Sequence, residues 1–348
     1  MMKSMTQTNN TTTDRTLVIG AGIAGLTTAR ALNQAGHEVV VLEKSRGLGG
    51  RSATRTRHGN RIDHGAQYFT VRDDRFQKQV DTWLTAGVAT VWTHNLHKLM
   101  GGQVVAPPPG HIGYPRYVFP AGMNSIGKDL AQGITVRRET RATTITQTGH
   151  GFDVTTETGE VISANRVIVN TPAEQALTLC SNLDLGDVHS ILEQVSLRPC
   201  IAVLAGYDPQ HIPDWHGIGV TDNSLGSVSW LAFDSSKRDD ANRGEHTVIV
   251  LHATPEFSEI NYQRYDSDKE GIITELLTDA SHVAPWLTGP VWTDSQRWRY
   301  ALAATPHDAR YLQCGELYFC GDWCGGAKVE AAYLSGLALA DKLTAAPA

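Results

Sequence analysis

Two hydrophobic patterns alternate along the chain and together predict a protein built from both strands and helices. Short unbroken apolar runs at 16–19, 166–169 and 317–320 are typical of strands buried on both faces of a parallel sheet. Helical spacing of apolar residues follows the first run and ends at Gly36, and it returns from 329 to 343. The chain is therefore expected to open with strand, helix and strand, and to close with strand and helix.

A glycine-rich turn, GAGIAG at 20–25, joins the first predicted strand to its helix. In a dinucleotide-binding unit these glycines allow a tight turn, close approach of a pyrophosphate and close packing of helix on strand. The second strand ends in Glu43, at about the 20-residue spacing of an acid that binds a ribose. Because strand, glycine turn, helix, strand and acid are all present, we predict a dinucleotide site. Its predicted residues are Gly20, Gly22, Ile23, Ala24, Gly25, Glu43 and Lys44.

A second glycine pair, Gly49-Gly50, follows Glu43 and stands directly before Arg51. Two adjacent glycines let backbone approach a ligand, and a guanidinium can hold a phosphate through two hydrogen bonds. The alternative is a glycine loop with a solvated arginine. These residues alone do not separate the two.

A third segment, DHGAQYF at 63–69, comes after this loop. The order of glutamate, GGR loop and Asp-x-Gly-Ala segment resembles the FAD-binding fold of the amine oxidase and protoporphyrinogen oxidase superfamily. The resemblance implies an α/β fold, with a Rossmann-like FAD-binding domain of amine oxidase/p-hydroxybenzoate hydroxylase type and a second α+β substrate domain. It places further residues at the cofactor, namely Gly49, Gly50, Arg51, His64, Gly65, Ala66, Gln67 and Ala142.

The C-terminal strand and helix enclose a second glycine-rich turn, GDWCGGAK at 321–328. Asp322 resembles the aspartate that binds the ribityl chain or pyrophosphate in this superfamily. The helix that starts near Val329 and Glu330 would lie by flavin N1 and O2, where its N-terminus could stabilise negative charge on reduced flavin. The alternative is an ordinary C-terminal helix packed on the sheet.

Length and superfamily pattern together indicate two domains, because 348 residues exceed the usual size of one. We expect a discontinuous FAD-binding domain at 14–75, 128–172 and 309–348, and a substrate domain at 76–127 and 173–308. Between 71 and 105 the pattern indicates short helices with polar breaks, and residues 1–13 are expected to form a disordered leader.

Composition excludes several classes of protein. An apolar content of 41% with 19% charged residues is ordinary for a globular protein, and a net charge of −6 argues against a nucleic-acid partner. No run approaches the ~20 apolar residues of a membrane span. Five cysteines without a secretory signal indicate a cytoplasmic protein. Cys320 and Cys324 lack a second pair or a histidine cluster, so no metal is predicted, and a monomer or a dimer both stay open.

Four segments, at 63–70, 251–258, 297–301 and 320–324, are similar to bacterial renalase-type proteins. Phe257 and Ala331 depart from that pattern, where Trp and Gly are expected, without removing a polar group. Pro199 stands where amine oxidases commonly place a lysine near flavin N5, which favours the renalase type. No cysteine has the setting of a covalent flavin attachment site, so the FAD is expected to be noncovalent.

The renalase resemblance implies an FAD-dependent oxidase that returns 2- and 6-dihydro-NAD(P) isomers to NAD(P)+. Hydride would pass to flavin N5, and O2 would reoxidise the flavin to give H2O2. Trp298 and Tyr300 could then stack on the nicotinamide, His252 could hydrogen-bond its carboxamide or ribose, and Arg299 could face a phosphate. Purely structural roles are the alternatives: a core tryptophan, a strand histidine and an arginine in an ion pair.

Two other functions stay open on the sequence. One is a flavin oxidase or dehydrogenase that acts on a small amine or another reduced heterocycle. The other is a non-catalytic FAD-binding protein. Peroxide-producing turnover would separate an oxidase from a binding protein, and flavin bleaching by amines would separate amine oxidation from renalase chemistry. The preference between NAD- and NADP-derived substrates is also open.

Overall fold

The computed structural model describes residues 15–222 and 225–345. The predicted leader at 1–13 lies outside these residues. The described helices are α1 (Ile23–Gln34), α2 (Asp74–Thr85), α3 (Ser125–Leu130), α4 (Ala173–Leu179), α5 (Asp187–Gln194), α6 (Pro255–Ile260), α7 (Lys269–Ala280) and α8 (Val329–Thr344). The strands of the first half are β1 (Arg15–Ile19), β2 (Glu38–Leu42), β3 (Thr54–Arg57), β4 (Asn60–Asp63), β5 (Thr90–Thr93), β6 (His97–Met100), β7 (Gln103–Val105), β8 (Arg116–Val118), β9 (Thr135–Arg137) and β10 (Ala142–Thr148). Those of the second half are β11 (Gly151–Thr156), β12 (Val161–Ala164), β13 (Arg166–Val169), β14 (Leu197–Tyr207), β15 (Gly217–Val220), β16 (Val228–Phe233), β17 (Thr247–Ala253), β18 (Trp292–Ala303), β19 (Leu312–Cys314) and β20 (Leu317–Phe319).

A six-stranded sheet in the order β19-β20-β13-β1-β2-β9 brings the predicted apolar runs side by side. All its neighbours pair in parallel except β19 with β20, which are antiparallel. Leu17 and Val18 on β1 are fully buried, and so are Val167 and Ile168 on β13. Burial on both faces explains why these strands are continuously apolar instead of alternating. The predicted α/β class with a Rossmann-like unit is confirmed.

Helices α1 and α8 cross closely on one face of this sheet. A Cβ added to Gly336 of α8 would lie 2.2 Å from the carbonyl oxygen of Ala24 on α1. The hydroxyl of Thr28 donates to the carbonyl of Gly336 at 2.9 Å. The two ends of the chain therefore pack together through backbone atoms.

A seven-stranded sheet in the order β18-β14-β17-β16-β15-β6-β7 forms the second large layer. Its pairs are antiparallel apart from β15 with β6. One face, with Ile201 and Val203, packs in a cluster with Ile272 and Leu276 of α7. The opposite face, with Leu204, packs in the cluster that also contains α1.

The expectation of short helices between 71 and 105 is wrong in part. The structure has α2 there, followed by the strands β5, β6 and β7. All three residues of β7 are exposed at the sheet edge, and β5 is mostly exposed. Short exposed strands need no apolar alternation, so the hydrophobic pattern gives little sign of them.

The described residues form three further, smaller sheets: β10-β11-β12, the hairpin β3-β4, and β5-β8. The division into two discontinuous domains stays a prediction, and the membership of the two large sheets supports it. No helix in the described part of the chain combines the length and the apolar content that crossing a membrane requires.

Candidate functional site

The first glycine turn forms a cradle at the carboxyl edge of the six-stranded sheet. Gly20 has φ of +104°, a conformation that favours glycine, and Gly22 precedes α1 without a side-chain hydrogen bond from any described residue to cap the helix. A Cβ on Gly25 would lie 2.6 Å from the carbonyl oxygen of Gly20. Ile23 and Ala24 form the first turn of α1. The turn therefore leaves the start of the helix without a side-chain cap from the described residues, so its first amides can bind a phosphate.

The second glycine loop lies directly against the first. The amide of Gly49 donates to the carbonyl of Ala21 at 2.8 Å, and a Cβ on Gly50 would stand 3.4 Å from the Cα of Gly22. Gly49 and Gly50 both have positive φ, of +96° and +59°. Backbone from two separate loops thus lines one cleft.

Glu43 is buried and holds the edge of this cleft together. Its carboxylate accepts hydrogen bonds from the amides of Ala21 at 2.8 Å and Ser45 at 2.7 Å. The amide of Thr140 donates to the carbonyl of Glu43, which brings the segment before Ala142 alongside. Lys44 points outward, 3.4 Å from the side-chain oxygen of Gln175. The ribose role of Glu43 and the cofactor contacts of Lys44 and Ala142 stay predictions.

Arg51 joins three chain segments that the sequence placed at the cofactor. Its guanidinium pairs with Asp322 at 2.6 Å and donates to the carbonyl of Ala301 at 3.2 Å. Its own carbonyl accepts from the amide of Ala66, and a Cβ on Gly65 would lie 1.9 Å from that carbonyl oxygen. Only glycine fits at position 65, because a side chain there would overlap the GGR loop.

A second uncapped helix start faces the same edge as the first. α8 follows β20, and β20 runs parallel to β1 with β13 between them, so both helices begin at the carboxyl ends of parallel strands. Neither helix start carries a side-chain cap from a described residue. The carboxylate of Glu330 is already engaged by the amides of Arg72 and Asp73, at 2.6 and 2.8 Å. At this helix start the side chain of Glu330 is therefore occupied, whereas no side chain of the described residues caps the backbone at Val329 and Glu330.

One face of the seven-stranded sheet carries two of the predicted substrate residues, Trp298 and His252. Trp298 of β18 pairs with Cys200 of β14, and Ala202 of β14 pairs with His252 of β17. Residues two apart on a strand and residues paired across strands share a face. Trp298 and His252 therefore stand on the same face, under the loop that follows β4.

His64 covers one side of Trp298. The two rings stack at a centroid distance of 5.4 Å and an angle of 13°, and the indole N–H donates to the carbonyl of His64 at 2.8 Å. Burial, with Arg55 nearby, lowers the pKa of His64 to about 3. A neutral imidazole therefore supports the indole, whose remaining surface is partly exposed.

His252 lies beside this pair and is neutral as well. Burial and the charge of Lys237 lower its pKa to about 4. Its Nε2 atom lies 3.5 Å from the side-chain nitrogen of Gln67. At neutral pH the face carries two uncharged imidazoles and an indole.

Tyr300 and Arg299 lie apart from this group. Tyr300 is half-buried and packs against the second core cluster, the one that contains Trp323. Arg299 is exposed, with its guanidinium 5.2 Å from the ring centroid of Tyr300. Pro199 stands at a shift in the β14–β18 register, where a residue without an N–H is tolerated.

This site agrees with what comparison with known protein families finds. Residues 83–344 match the model of the flavin-containing amine oxidoreductases, and residues 18–83 match that of an NAD(P)-binding Rossmann-like domain. This chain belongs to the flavin-containing amine oxidoreductase family. It is thus an FAD-dependent oxidoreductase, and the predictions of its superfamily, enzyme class and cofactor are confirmed.

Solved structures of distant relatives share the fold of this amine oxidoreductase. Putrescine oxidase bound to putrescine has a TM-score of 0.74 at 16% identity, over 95% of this chain and 98% of that one. Cyclohexylamine oxidase from Brevibacterium oxydans has a TM-score of 0.70 at 13% identity, over 95% and 99%. A fatty acid isomerase from P. acnes that produces CLA has a TM-score of 0.69 at 15% identity, over 94% and 98%. Because the isomerase shares the fold, the fold alone does not fix the reaction.

Sequence comparison with curated proteins gives a local match. A phytoene desaturase (neurosporene-forming) from Cereibacter sphaeroides is 40% identical over 74 residues, which are 21% of this chain. The match spans only 14% of the length of that enzyme. It therefore carries no information on the substrate of this oxidoreductase.

A buried cluster of four charges lies beneath the substrate face. Asp63, Asp234, Lys237 and Arg238 are each at most 4% exposed. Arg238 bonds Asp63 at 2.7 Å and Asp234 at 2.8 Å, and Lys237 bonds Asp234 at 2.8 Å. Burial would raise the pKa of Asp63, but Arg238 and Lys237 outweigh it and lower that pKa below its usual range. Two acids and two bases balance, so the cluster adds no net charge to the site.

Sequence reasoning missed three members of this cluster. Asp234, Lys237 and Arg238 belong to the segment DSSKRDD at 234–240, whose charges are typical of a solvated turn. Nothing in that pattern links it to Asp63.

Sequence reasoning also missed Asn170, whose side-chain amide donates to the carbonyl of Gly20 at 3.1 Å and fills the space beside Gly22 and Gly25. Its place directly after the buried strand at 166–169 was a usable signal, because ligands bind at the carboxyl ends of parallel strands.

Proposed function

We propose that this oxidoreductase oxidises 2- and 6-dihydro-NAD(P) isomers to NAD(P)+, as renalase-type enzymes do. The supporting observation is the face that carries Trp298 and His252, with His64 stacked behind the indole. Bound FAD would supply the hydride acceptor at N5 and pass the electrons to O2, giving H2O2.

The charge state of this face suits hydride loss from a dihydropyridine. Loss of hydride leaves an aromatic cation directly, so the reaction needs orientation and no general base. His64 and His252 are uncharged at pH 7, because their pKa values are about 3 and about 4. They therefore do not repel the positive charge that develops on the ring. Lys237 is a poor candidate for a general base, since its ammonium is buried and paired with Asp234.

Each substrate residue then has a specific proposed task. The free surface of the Trp298 indole would stack on the nicotinamide, and His252 would hydrogen-bond the carboxamide or ribose. Arg299 is exposed and would meet a substrate phosphate, with Tyr300 beneath its guanidinium at 5.2 Å. Tyr300 packs against the second core cluster, and we propose that it supports the guanidinium of Arg299 there.

The test is anaerobic mixing of the purified holoenzyme with 6-dihydro-NAD while the oxidised flavin band is recorded. We expect rapid bleaching, with colour and peroxide returning when air is admitted. Trp298→Ala should slow bleaching strongly, while the exposed and distant Gln147→Glu should not. Bleaching by small amines but not by 6-dihydro-NAD would identify an amine oxidase instead. No bleaching by either would favour a binding protein.

A separate experiment tests how the FAD is attached. Acid precipitation should leave the yellow colour in the supernatant if the FAD is noncovalent.

A further inference from the structure

We propose that Lys237, acting through the amide of Gln67, fixes the tautomer of His252, so that the ring presents its Nδ1–H as a hydrogen-bond donor to substrate. Lys237 and Gln67 would be positioning residues. The inference rests on the proposed function only for the identity of the substrate. The tautomer itself is a property of the protein.

The first step is the orientation of the Gln67 amide. The ammonium of Lys237 lies 2.8 Å from the side-chain oxygen of Gln67 and 2.8 Å from a carboxylate oxygen of Asp234. An ammonium can only donate hydrogen bonds, so the group that faces it must be an acceptor. The amide oxygen of Gln67 is therefore fixed towards Lys237. A flipped amide would set NH2 against NH3+ inside the protein, where such a contact is costly.

Two carbonyls hold the other end of the same amide. The side-chain nitrogen of Gln67 donates to the carbonyl oxygens of Asp63 at 2.6 Å and Gly65 at 3.1 Å. These contacts require the same orientation as Lys237 does. Gln67 is 6% exposed, so solvent does not compete for its amide.

The second step is the proton of His252. The amide nitrogen of Gln67 lies 3.5 Å from the Nε2 atom of the ring and can only donate, and its two hydrogens are shared among this atom and the carbonyls of Asp63 and Gly65, so the contact with His252 is the weakest of the three. An Nε2–H would meet that donor with another donor, whereas a bare Nε2 can accept. In the neutral ring the proton then resides on Nδ1.

The third step is what this arrangement offers a ligand. His252 is partly exposed, and Nδ1 is the ring nitrogen that Gln67 does not face. A protonated Nδ1 can donate to an acceptor such as the carboxamide oxygen of a dihydronicotinamide. With the opposite tautomer the ring would present a lone pair there, which would repel that oxygen.

The experiment reads the tautomer directly. Holoenzyme labelled with 15N-histidine is studied at pH 7 by long-range 1H–15N correlation NMR, with the His252 signals assigned by their loss in His252→Asn. We expect a protonated Nδ1 and a bare Nε2. Lys237→Met removes the contact that orients the Gln67 amide, and Gln67→Leu removes the amide itself. Both variants should shift the proton of the His252 ring towards Nε2. Gln147→Glu, which changes an exposed glutamine of β10, is the matched control and should leave the spectrum unchanged.

Kinetics supply a second measurement if Lys237→Met does not fold. In Gln67→Leu the KM for 6-dihydro-NAD should rise roughly 3- to 10-fold with a smaller change in kcat, as for one lost neutral hydrogen bond. Native holoenzyme with the proton on Nε2, or variants that keep the native tautomer, would overturn the inference. Failure of 6-dihydro-NAD to bleach the flavin would overturn the proposed substrate but leave the NMR result standing, so the two failures are distinguishable.

Discussion

Two regions of this oxidoreductase join distant parts of the chain by opposite means. At the cofactor edge, α1 and α8 meet through backbone atoms, and Gly336 leaves room for the carbonyl of Ala24. Beneath the substrate face, Asp63 meets Arg238 and Lys237 through fully buried charges. The first contact depends on a missing side chain, and the second depends on side chains that would cost free energy if either partner were absent.

The difference shows which of these two kinds of contact can be predicted from a sequence. A glycine that must accommodate a neighbouring backbone belongs to a short pattern with strands and helices beside it. A charged residue that will be buried looks the same as one that will be solvated, since its partner can lie far along the chain. Asp63 and Arg238 are such a pair. The glycine-rich turns at the cofactor edge could therefore be predicted from the sequence, whereas the buried charge cluster could not.

The largest expected change in stability comes from removing one carboxylate of the buried charge cluster. Asp234→Ala leaves Arg238 and Lys237 with one buried carboxylate between them, so we expect the free energy of unfolding to fall by about 3–5 kcal/mol. Urea denaturation followed by circular dichroism would measure it. Glu160→Ala, which removes a partner of the exposed Arg137, is the control and should have no measurable effect. Similar losses in both variants would remove the contrast between buried and solvated charges.

Removing the acid at the cofactor edge should act on FAD more than on folding. Glu43→Ala should weaken FAD binding by roughly 1.5–3 kcal/mol, the usual range for hydrogen bonds to a charged group. Because the carboxylate also holds the amides of Ala21 and Ser45, Glu43→Gln should lose less. Fluorescence titration of apoprotein with FAD would give both affinities. An unchanged affinity in Glu43→Ala would remove the predicted ribose role.

The backbone contact can be tested with a single methyl group. Gly336→Ala would place a Cβ 2.2 Å from the carbonyl oxygen of Ala24, and such overpacking costs about 1–3 kcal/mol. Alanine ordinarily favours a helix over glycine by ~1 kcal/mol, so a net destabilisation would show that the close approach dominates. Gly47→Ala, in a loop position with no atom within 4 Å of the added Cβ, is the control. If Gly336→Ala proved as stable as the control, the close packing of α1 on α8 would be in doubt.

The neutral imidazoles of the substrate face should make the stability of the protein depend on pH. The unfolded chain takes up a proton on each histidine below about pH 6.5, whereas folded His64 and His252 do so only near about 3 and about 4. The unfolded state therefore binds more protons between pH 6.5 and 4. Stability should fall with decreasing pH there, by about 1.4 kcal/mol per pH unit for each histidine.

His64→Phe keeps an aromatic ring against Trp298 and removes one of these titrations. Its free energy of unfolding should consequently vary less steeply between pH 6.5 and 4.5 than that of the native holoenzyme. Urea denaturation at three pH values in this window would compare the slopes. Equal slopes would mean that His64 titrates in the folded protein as it does in the unfolded chain.

The sequence by itself determined the architecture around the cofactor. The apolar runs became β1, β13 and β20, and the glycine turns became the starts of α1 and α8. These elements can be predicted from the sequence because each depends on a few neighbouring residues. The residues concerned are an unbroken apolar run, a residue that tolerates positive φ, or an acid at the end of a strand. The short, mostly exposed strands β5 and β7 could not be predicted, because too few of their residues are buried to impose a hydrophobic pattern.

Only the tertiary structure decided the chemistry of the substrate face. It stacked His64 on Trp298, directed Gln67 between Lys237 and His252, and buried Asp234 beside Arg238. Burial sets whether an imidazole is charged, and the nearest partner sets which of its nitrogens holds the proton. Both depend on segments that are far apart in the chain, so no local pattern records them.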